Sequence, residues 1–586
     1  MNTITWMVGG AAGAGINASG EMFSRCFTRG GLNVLAYLEY PSLIRGGHNS
    51  YHIRVSPEPV YSQVRGIDLL VCLNKETFEL HKNELSSGAG VLFDPENFSL
   101  EPKNLPQPET THLFPVPFLK IVKEHGGIDI MRNTVALGAS LALFKYPFEH
   151  LEGLIVKQFE KKGEKVVSLN VKMAKIGYDY VLEHFDSAKA FPFSMAPTQN
   201  KPKMLLSGNQ SLSYGAMKAG CKLFCAYPMT PASSILSVFA KHERDLNIVV
   251  KQPEDELAAV LYCIGAGYAG VRAMTSTSGG GFALMVESLS LAGMIEVPLV
   301  VVESQRPGPA TGFPTWTGQA DLKFVIHAGH DEFPKLVLAP GDVSEAYLYI
   351  QHAFNFAEKY HIPVIVLSDK YLSESHFSAD DFEKLAVKID RGPMVSEKEI
   401  EKFKETMEDF PRYQVTESGV SPRILPGMPH TRYVANSYEH DATGELDESA
   451  ENRIAMHQKR LRKMETLAKE LPNPPIYGPE DADLSIIAWG STKGAVLEAM
   501  RSLEAEGIRV NFMHVIYLSP FPKKAVSDFL KKAKESLLIE GNYRGQLGEL
   551  IREHTLLDVD EKFLKYDGRP FYPEEICEKV KNFIGE

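Results

Sequence analysis

Cysteine is scarce in these 586 residues, with six in all: Cys26, Cys72, Cys221, Cys225, Cys263 and Cys577. So few and so scattered exclude a disulfide framework and point to a reducing compartment, the cytoplasm. They also fail as a metal site. Cys221 and Cys225 stand alone at C-x3-C spacing, whereas structural zinc and iron-sulfur centres need about four ligands, so both read as small core hydrophobes. A basic excess is missing too. Against 62 Lys and Arg stand 74 Asp and Glu, a net charge of -12, which leaves no footprint for nucleic acid or an anionic membrane. Residues 1–20 carry no charge, yet they lack a basic leader and hold seven Gly and Ala between Gly9 and Gly15. The expectation there is neither a signal peptide nor a membrane span.

What is present is ordinary globular composition, 44% apolar and 23% charged, in a length that suggests three to five domains at about 150 residues each. A strand-like run Thr3–Val8, a glycine turn at 9–15 and a helical stretch Ile16–Arg29 open a βαβ unit. Strand-like runs and helical patterns continue an α/β domain over 1–185, followed by a polar, Pro-containing linker at 186–204. Residues 205–377 alternate continuous apolar strands with helices, the pattern of a parallel sheet covered on both faces. Residues 378–475 form a charged connecting excursion with a basic helical run, Arg453–Lys469, and 476–586 return to βαβ rhythm. The fold class is α/β, with three α/β domains.

In a parallel sheet, ligands gather at the carboxyl ends of the strands. Four such ends in the second domain stand out, each with a plain alternative. Tyr227-Pro228-Met229-Thr230-Pro231 follows one strand; Pro231 suits a first helical turn and Thr230 an N-cap, and a well-capped helix explains that equally well. Gln252-Pro253-Glu254-Asp255-Glu256 follows another. Acidic residues there complement the helix dipole, but Glu256 shares a helical face with Ala259, Cys263 and Gly267 and is expected to point inward, where a carboxylate needs a partner. Ser278-Gly279-Gly280-Gly281 fits either an anion cradle or close packing. Glu303 to Thr315 places Arg306 in a loop stiffened by prolines and opened by glycines, suited to a bidentate grip on a carboxylate or to simple solvation.

Taken together these segments carry a resemblance. YPMTPAS at 227–233, QPEDELAA at 252–259, AMTSTSGGGFALMVE at 273–287 and ESQRPGPATGFPT at 303–315 resemble the α subunit of 2-oxoacid:ferredoxin oxidoreductases, in the form with a fused N-terminal γ domain and in the 2-oxoglutarate branch. EYPSLIRGGHNSYHIRVS at 39–56 is similar to the γ domain, and IIAWGSTKGAVLEA at 486–499, YLSPFP at 517–522 and IEGNYRGQL at 539–547 to the transketolase C-terminal-like domain. One departure is Ala14, where the family's glycine turn usually carries Gln. The resemblance implies a γ-type domain covering coenzyme A at 1–185, a pyrimidine-binding domain at 205–377 and a transketolase C-terminal-like domain at 476–586. It further implies a thiamine diphosphate enzyme in which Glu256 contacts the aminopyrimidine N1′ as the catalytic residue. Tyr227, Pro228 and Thr230 would lie against the cofactor, Thr230 also against the substrate, while Arg306 and Thr315 hold the 2-oxoacid carboxylate.

The implied reaction is CoA-dependent oxidative decarboxylation of 2-oxoglutarate, or its reverse, with electrons passed through iron-sulfur clusters to ferredoxin. The chain contains no Gly-Asp-Gly, the family's start of a diphosphate site, and has no cluster cysteines. The resemblance therefore places the diphosphate site with its Mg2+, and the 4Fe-4S cluster, on a β subunit, in an (αβ)2 heterotetramer. Arg45 is a candidate for the distal carboxylate of 2-oxoglutarate. Other readings are a broad-specificity 2-oxoacid or pyruvate oxidoreductase subunit, a non-redox CoA-binding ligase subunit, a nucleotide-binding oxidoreductase built on the 9–15 turn, which fits G-x-G-x-x-G poorly, and an interaction scaffold.

Overall fold

A computed structural model describes residues 3–43, 46–186, 189, 191–406, 409–429 and 431–585. The chain divides into two compact units, Met1–Ser207 with Glu374–Asp381 and Tyr572–Ile576, and Gly208–Ser373 with Phe382–Phe571 and Cys577–Glu586.

The first unit is built on an eight-stranded sheet in the order His112–Pro115, Leu85–Phe93, Ile67–Cys72, Ile4–Ala11, His48–Ser56, Asn33–Glu39, His376–Ala379, Met204–Ser207. The first four strands run parallel and every later pairing is antiparallel. The opening strand continues three residues past the expected Val8, because Gly9, Gly10 and Ala11 pair with Ser50, Asn49 and His48. That leaves a shorter turn in which Gly13 and Gly15 take positive φ before the helix Ile16–Arg29. The helix faces the sheet through Phe23 and Phe27, with the Phe23 ring 4.5 Å from that of Trp6. The helices Arg132–Leu143 and Glu164–His184 pack at backbone distance, since a methyl at Gly138 would overlap the Ala174 carbonyl and one at Gly177 that of Val135. The stretch 191–203 lies along this unit, with Phe191 and Met195 buried in its core.

The second unit holds two sheets. Seven strands run in the order Tyr517–Ser519, Leu336–Leu338, Pro363–Asp369, Leu299–Gln305, Ala273–Thr277, Leu223–Cys225, Val249–Lys251, all parallel except the first. Apolar residues cover both faces, as continuous apolar strands require. Leu299 and Val301 join the cluster of Ala259, Cys263, Phe282 and Met285, while Val300 and Val302 join that of Phe224, Met274 and Ile350. Cys225 falls in the first cluster and Cys221 in the second. The five-stranded sheet is Ile476–Tyr477, Val510–His514, Leu484–Ala488, Ser536–Glu540, Glu561–Leu564.

The basic run expected over Arg453–Lys469 is a helix, Ala450–Ala468, and part of its charge is buried. Lys459 and Lys463 are fully buried and each lies 2.5 Å from a carboxylate oxygen of Glu296. A charge four residues from another of the same sign meets one central carboxylate because i and i+4 share a helical face. Among the described residues, no helix is long and apolar enough to cross a membrane.

Candidate active site

The singled-out residues of the second unit collect at the carboxyl ends of the parallel strands. Thr230 follows Leu223–Cys225, Glu256 follows the edge strand Val249–Lys251, Gly281 follows Ala273–Thr277, and Arg306 follows Leu299–Gln305. Arg306 Nη1 donates to the carbonyl oxygen of Thr230 at 2.7 Å, two strands away. It makes no ion pair among the described residues. The Thr277 hydroxyl lies 3.9 Å from Met229 Sδ, so the Tyr227–Pro231 segment also closes on the end of the central strand. Tyr227 and Pro228 are exposed.

Thr230 is not the N-cap of the helix that follows. That helix begins at Ser233 and is preceded by Ala232, without a side-chain cap. Pro231 and Ala232 turn first, and it is the Thr230 carbonyl, not its side chain, that is engaged. At the Ser278–Gly281 run the close-packing alternative is visible. Its helix already starts at Gly279, and a methyl at Gly279 would sit 2.5 Å from Asp321 Oδ2, one at Gly281 2.6 Å from Glu256 Oε1. The glycines make room for carboxylates.

Glu256 is the first residue of the helix Glu256–Tyr268, whose cap is its neighbour: the Asp255 carboxylate accepts from Ala258 N at 2.8 Å. Asp255 thus takes the helix-terminal role, while Glu256 turns inward with Ala259, Cys263 and Gly267 and is 3% exposed. Among the described residues its Oε1 is buried without a hydrogen-bond partner. Such an acceptor costs about 1–3 kcal/mol when left unmade.

Three further carboxyls belong to this site without a motif of their own. Glu303 is fully buried, and among the described residues neither of its oxygens meets a donor. Burial pushes it well above its ordinary range, with Asp321 and Asp369 adding to the effect and Arg306 opposing it. Burial likewise pushes Asp321 up to about 6. Asp369, at the end of the adjacent strand in register with Gln305, accepts from Leu372 N at 3.0 Å. The available signal was a Glu directly after the apolar run Leu299–Val302.

The loop carrying Arg306 is anchored by the five-stranded part of the unit. Gln319 N donates to the Gly541 carbonyl at 2.8 Å, Gly541 N to Gln319 Oε1 at 2.8 Å, and Gln319 Nε2 to the Trp489 carbonyl at 3.0 Å. Arg569 stacks over the Trp316 ring at 3.4 Å. Thr315 is buried with its hydroxyl unpartnered. Arg45 lies outside the described residues.

Three family models match in succession: "Pyruvate ferredoxin/flavodoxin oxidoreductase" over residues 5–180, "Pyruvate flavodoxin/ferredoxin oxidoreductase, thiamine diP-bdg" over 214–459, and "Pyruvate:ferredoxin oxidoreductase core domain II" over 482–576. The 2-oxoacid:ferredoxin oxidoreductase subunit alpha of Saccharolobus solfataricus is 33% identical over 99% of this chain and 98% of its own. The chain belongs to the 2-oxoacid:ferredoxin oxidoreductase α-subunit family. The α/β class expected from sequence holds, and this α subunit carries the family's thiamine diphosphate-binding domain around Thr230, Glu256 and Arg306. The 2-oxoglutarate oxidoreductase subunit KorA of Mycobacterium tuberculosis is 29% identical over 97% of this chain and 89% of its own. A solved 2-oxoglutarate:ferredoxin oxidoreductase from Magnetococcus marinus, with 2-oxoglutarate, coenzyme A and succinyl-CoA bound, matches all of both chains at 34% identity and a TM-score of 0.92.

Proposed function

We propose that this α subunit works in a CoA-dependent 2-oxoglutarate:ferredoxin oxidoreductase and builds the pyrimidine side of its thiamine diphosphate site. One observation carries the reading: Glu256 Oε1, a buried acceptor with no donor, placed at the strand ends where Thr230 and Arg306 meet. A protonated N1′ of an aminopyrimidine is the donor that position lacks, so the residues present fit the group. When bound, thiamine diphosphate supplies a carbon nucleophile that adds to the 2-oxoacid carbonyl and takes up the charge left by loss of CO2.

The chain's own residues do the rest. Glu256 holds and shares the proton at N1′, a positioned proton transfer of about 10²–10⁴ in rate. Tyr227 and Pro228 shape the wall of the cofactor cleft, and Thr230 borders cofactor and substrate. Arg306, tethered through Nη1 to Thr230 O, keeps its remaining donors for the C1 carboxylate, with Thr315 beside it. Arg45 is the proposed reader of the distal carboxylate, and the domain over 1–185 the cover for coenzyme A, with a linker at 186–204, the pyrimidine-binding domain at 205–377, the excursion at 378–475 and the C-terminal domain at 476–586. The diphosphate, its Mg2+ and the 4Fe-4S cluster are assigned to a β subunit in an (αβ)2 complex acting with cytoplasmic ferredoxin. The names of the Mycobacterium tuberculosis and Magnetococcus marinus relatives favour 2-oxoglutarate over pyruvate.

Reconstitution with the β subunit tests this. The pair is expected to reduce ferredoxin or a viologen dye with 2-oxoglutarate and CoA, and much more slowly with pyruvate; the isolated chain is expected to be silent. Activity of the isolated chain, or preference for pyruvate, overturns the respective part.

A further inference from the structure

Glu303 stands three residues before Arg306, at the end of a central strand, and is the polar group in this site least easily explained by structure alone. It is fully buried and no N–H or O–H of the described residues reaches either oxygen. A second carboxyl, Asp321, comes to the same strand end: its backbone N donates to Gln305 Oε1 at 3.1 Å and its Oδ2 lies beside Gly279, two residues beyond Thr277, the register partner of Glu303, and each carboxyl acts on the other's protonation. Two carboxylates cannot hydrogen-bond unless one keeps a proton, since an ionised carboxylate only accepts. Arg306 acts on both through its charge, but its hydrogen bond goes to Thr230 O.

We propose that Glu303 and Asp321 hold one proton between them, and that this shared proton keeps Arg306 open to the 2-oxoacid carboxylate. The inference rests on the assignment of Arg306 given above. With the proton in place the pair carries a single negative charge and one hydrogen bond joins the two carboxyls. Once it is lost, two adjacent carboxylates face Arg306, compete for its guanidinium and repel the incoming anion. Glu303 is thereby a positioning residue, acting through Arg306. The other charged group acting on it is Asp369, from the strand Pro363–Asp369. Ala273–Thr277 contributes the uncharged Thr277. The direction of the effect agrees with burial, which holds Glu303 protonated well above the ordinary carboxylate range.

The sign of the pH dependence follows. The protonated pair is the binding form, so KM for the 2-oxoacid is flat at lower pH and rises once pH passes the upper titration of the pair, by at most about tenfold per pH unit for one proton. Glu303→Gln keeps the shape and donates an N–H to Asp321 but has no proton to lose. In the complex with the β subunit, this variant is expected to show KM within about threefold of wild type at low pH and no rise at high pH, with kcat little changed. A KM–pH profile superimposable on wild type overturns the proposal. Infrared difference spectra of the complex between low and high pH provide a readout independent of turnover: wild type is expected to lose a protonated-carboxyl C=O band that Glu303→Gln lacks, and its absence from wild type also overturns it. Arg306→Met separates the two layers. If that variant keeps a normal KM, the assignment of Arg306 fails; if it is impaired while Glu303→Gln behaves as wild type, only the shared proton fails.

Discussion

Arg306 Nη1 and the carbonyl oxygen of Thr230, 2.7 Å apart, tie together the ends of two strands that are not neighbours in the sheet. The bond passes the end of Ala273–Thr277, from which Gly281 opens toward Glu256. It uses one donor of a guanidinium and a backbone acceptor, so the cation is positioned without being neutralised.

Replacing Arg306 tests that arrangement. Arg306→Lys is expected to impair, and Arg306→Met nearly to abolish, use of every 2-oxoacid, because a lysine cannot present two parallel donors. Charge-assisted hydrogen bonds of about 1.5–3 kcal/mol correspond to a loss of roughly 10- to 150-fold in kcat/KM for each bond lost. Steady-state kinetics of the reconstituted complex, at matched cofactor content, measures it.

Glu256→Gln is expected to lower kcat by about 10²–10⁴ with the melting temperature nearly unchanged. If Glu256 merely complemented its helix dipole, activity would survive and stability would fall by about 0.3–1 kcal/mol. Asp255 already caps that helix, which is why little stability should be lost.

A methyl at Gly281 would overlap the Thr277 hydroxyl and lie 2.6 Å from Glu256 Oε1. Gly281→Ala is therefore expected to displace the Glu256 side chain and reduce activity toward the level of Glu256→Gln, with full thiamine diphosphate saturation requiring more cofactor. Titration of activity against added cofactor separates the variant from one that is simply unfolded.

Among the described residues, Glu296 is the one carboxylate paired with the buried Lys459 and Lys463; burial raises its pKa, but Lys459, Lys463 and Arg412 together hold it far below the usual range. Glu296→Gln leaves two cations buried without a counter-charge and is expected to cost about 3–5 kcal/mol, read in urea unfolding.

Removal of residues 1–185 is expected to give an aggregating chain. The strands Met204–Ser207 and His376–Ala379 belong to the same sheet as the deleted strands, and the deletion bares the edge that His376–Ala379 pairs with Asn33–Glu39. Light scattering of the truncated chain checks this; a soluble, monodisperse product would count against it.

The sequence alone determined whatever depends on local periodicity and on contiguous motifs. Continuous apolar runs such as Leu299–Val302 and Val364–Leu367 can only be buried on both faces, so the parallel sheet and the strand ends bearing Thr230, Glu256 and Arg306 were legible. The inward turn of Glu256 followed from its spacing to Ala259, Cys263 and Gly267. Tertiary structure decided what depends on partners distant in the chain. The basic helix Ala450–Ala468 shows no counter-charge locally; Glu296, more than 150 residues earlier, pairs with two of its lysines. Thr230 resembles an N-cap until Arg306 engages its carbonyl. Three glycines fit a cradle or close packing until Asp321 and Glu256 are seen beside Gly279 and Gly281. Glu303 shows no local sign of protonation, because its charge state depends on burial and on a carboxyl eighteen positions away, and side-chain burial and long-range pairing are set only when the strands and loops have packed.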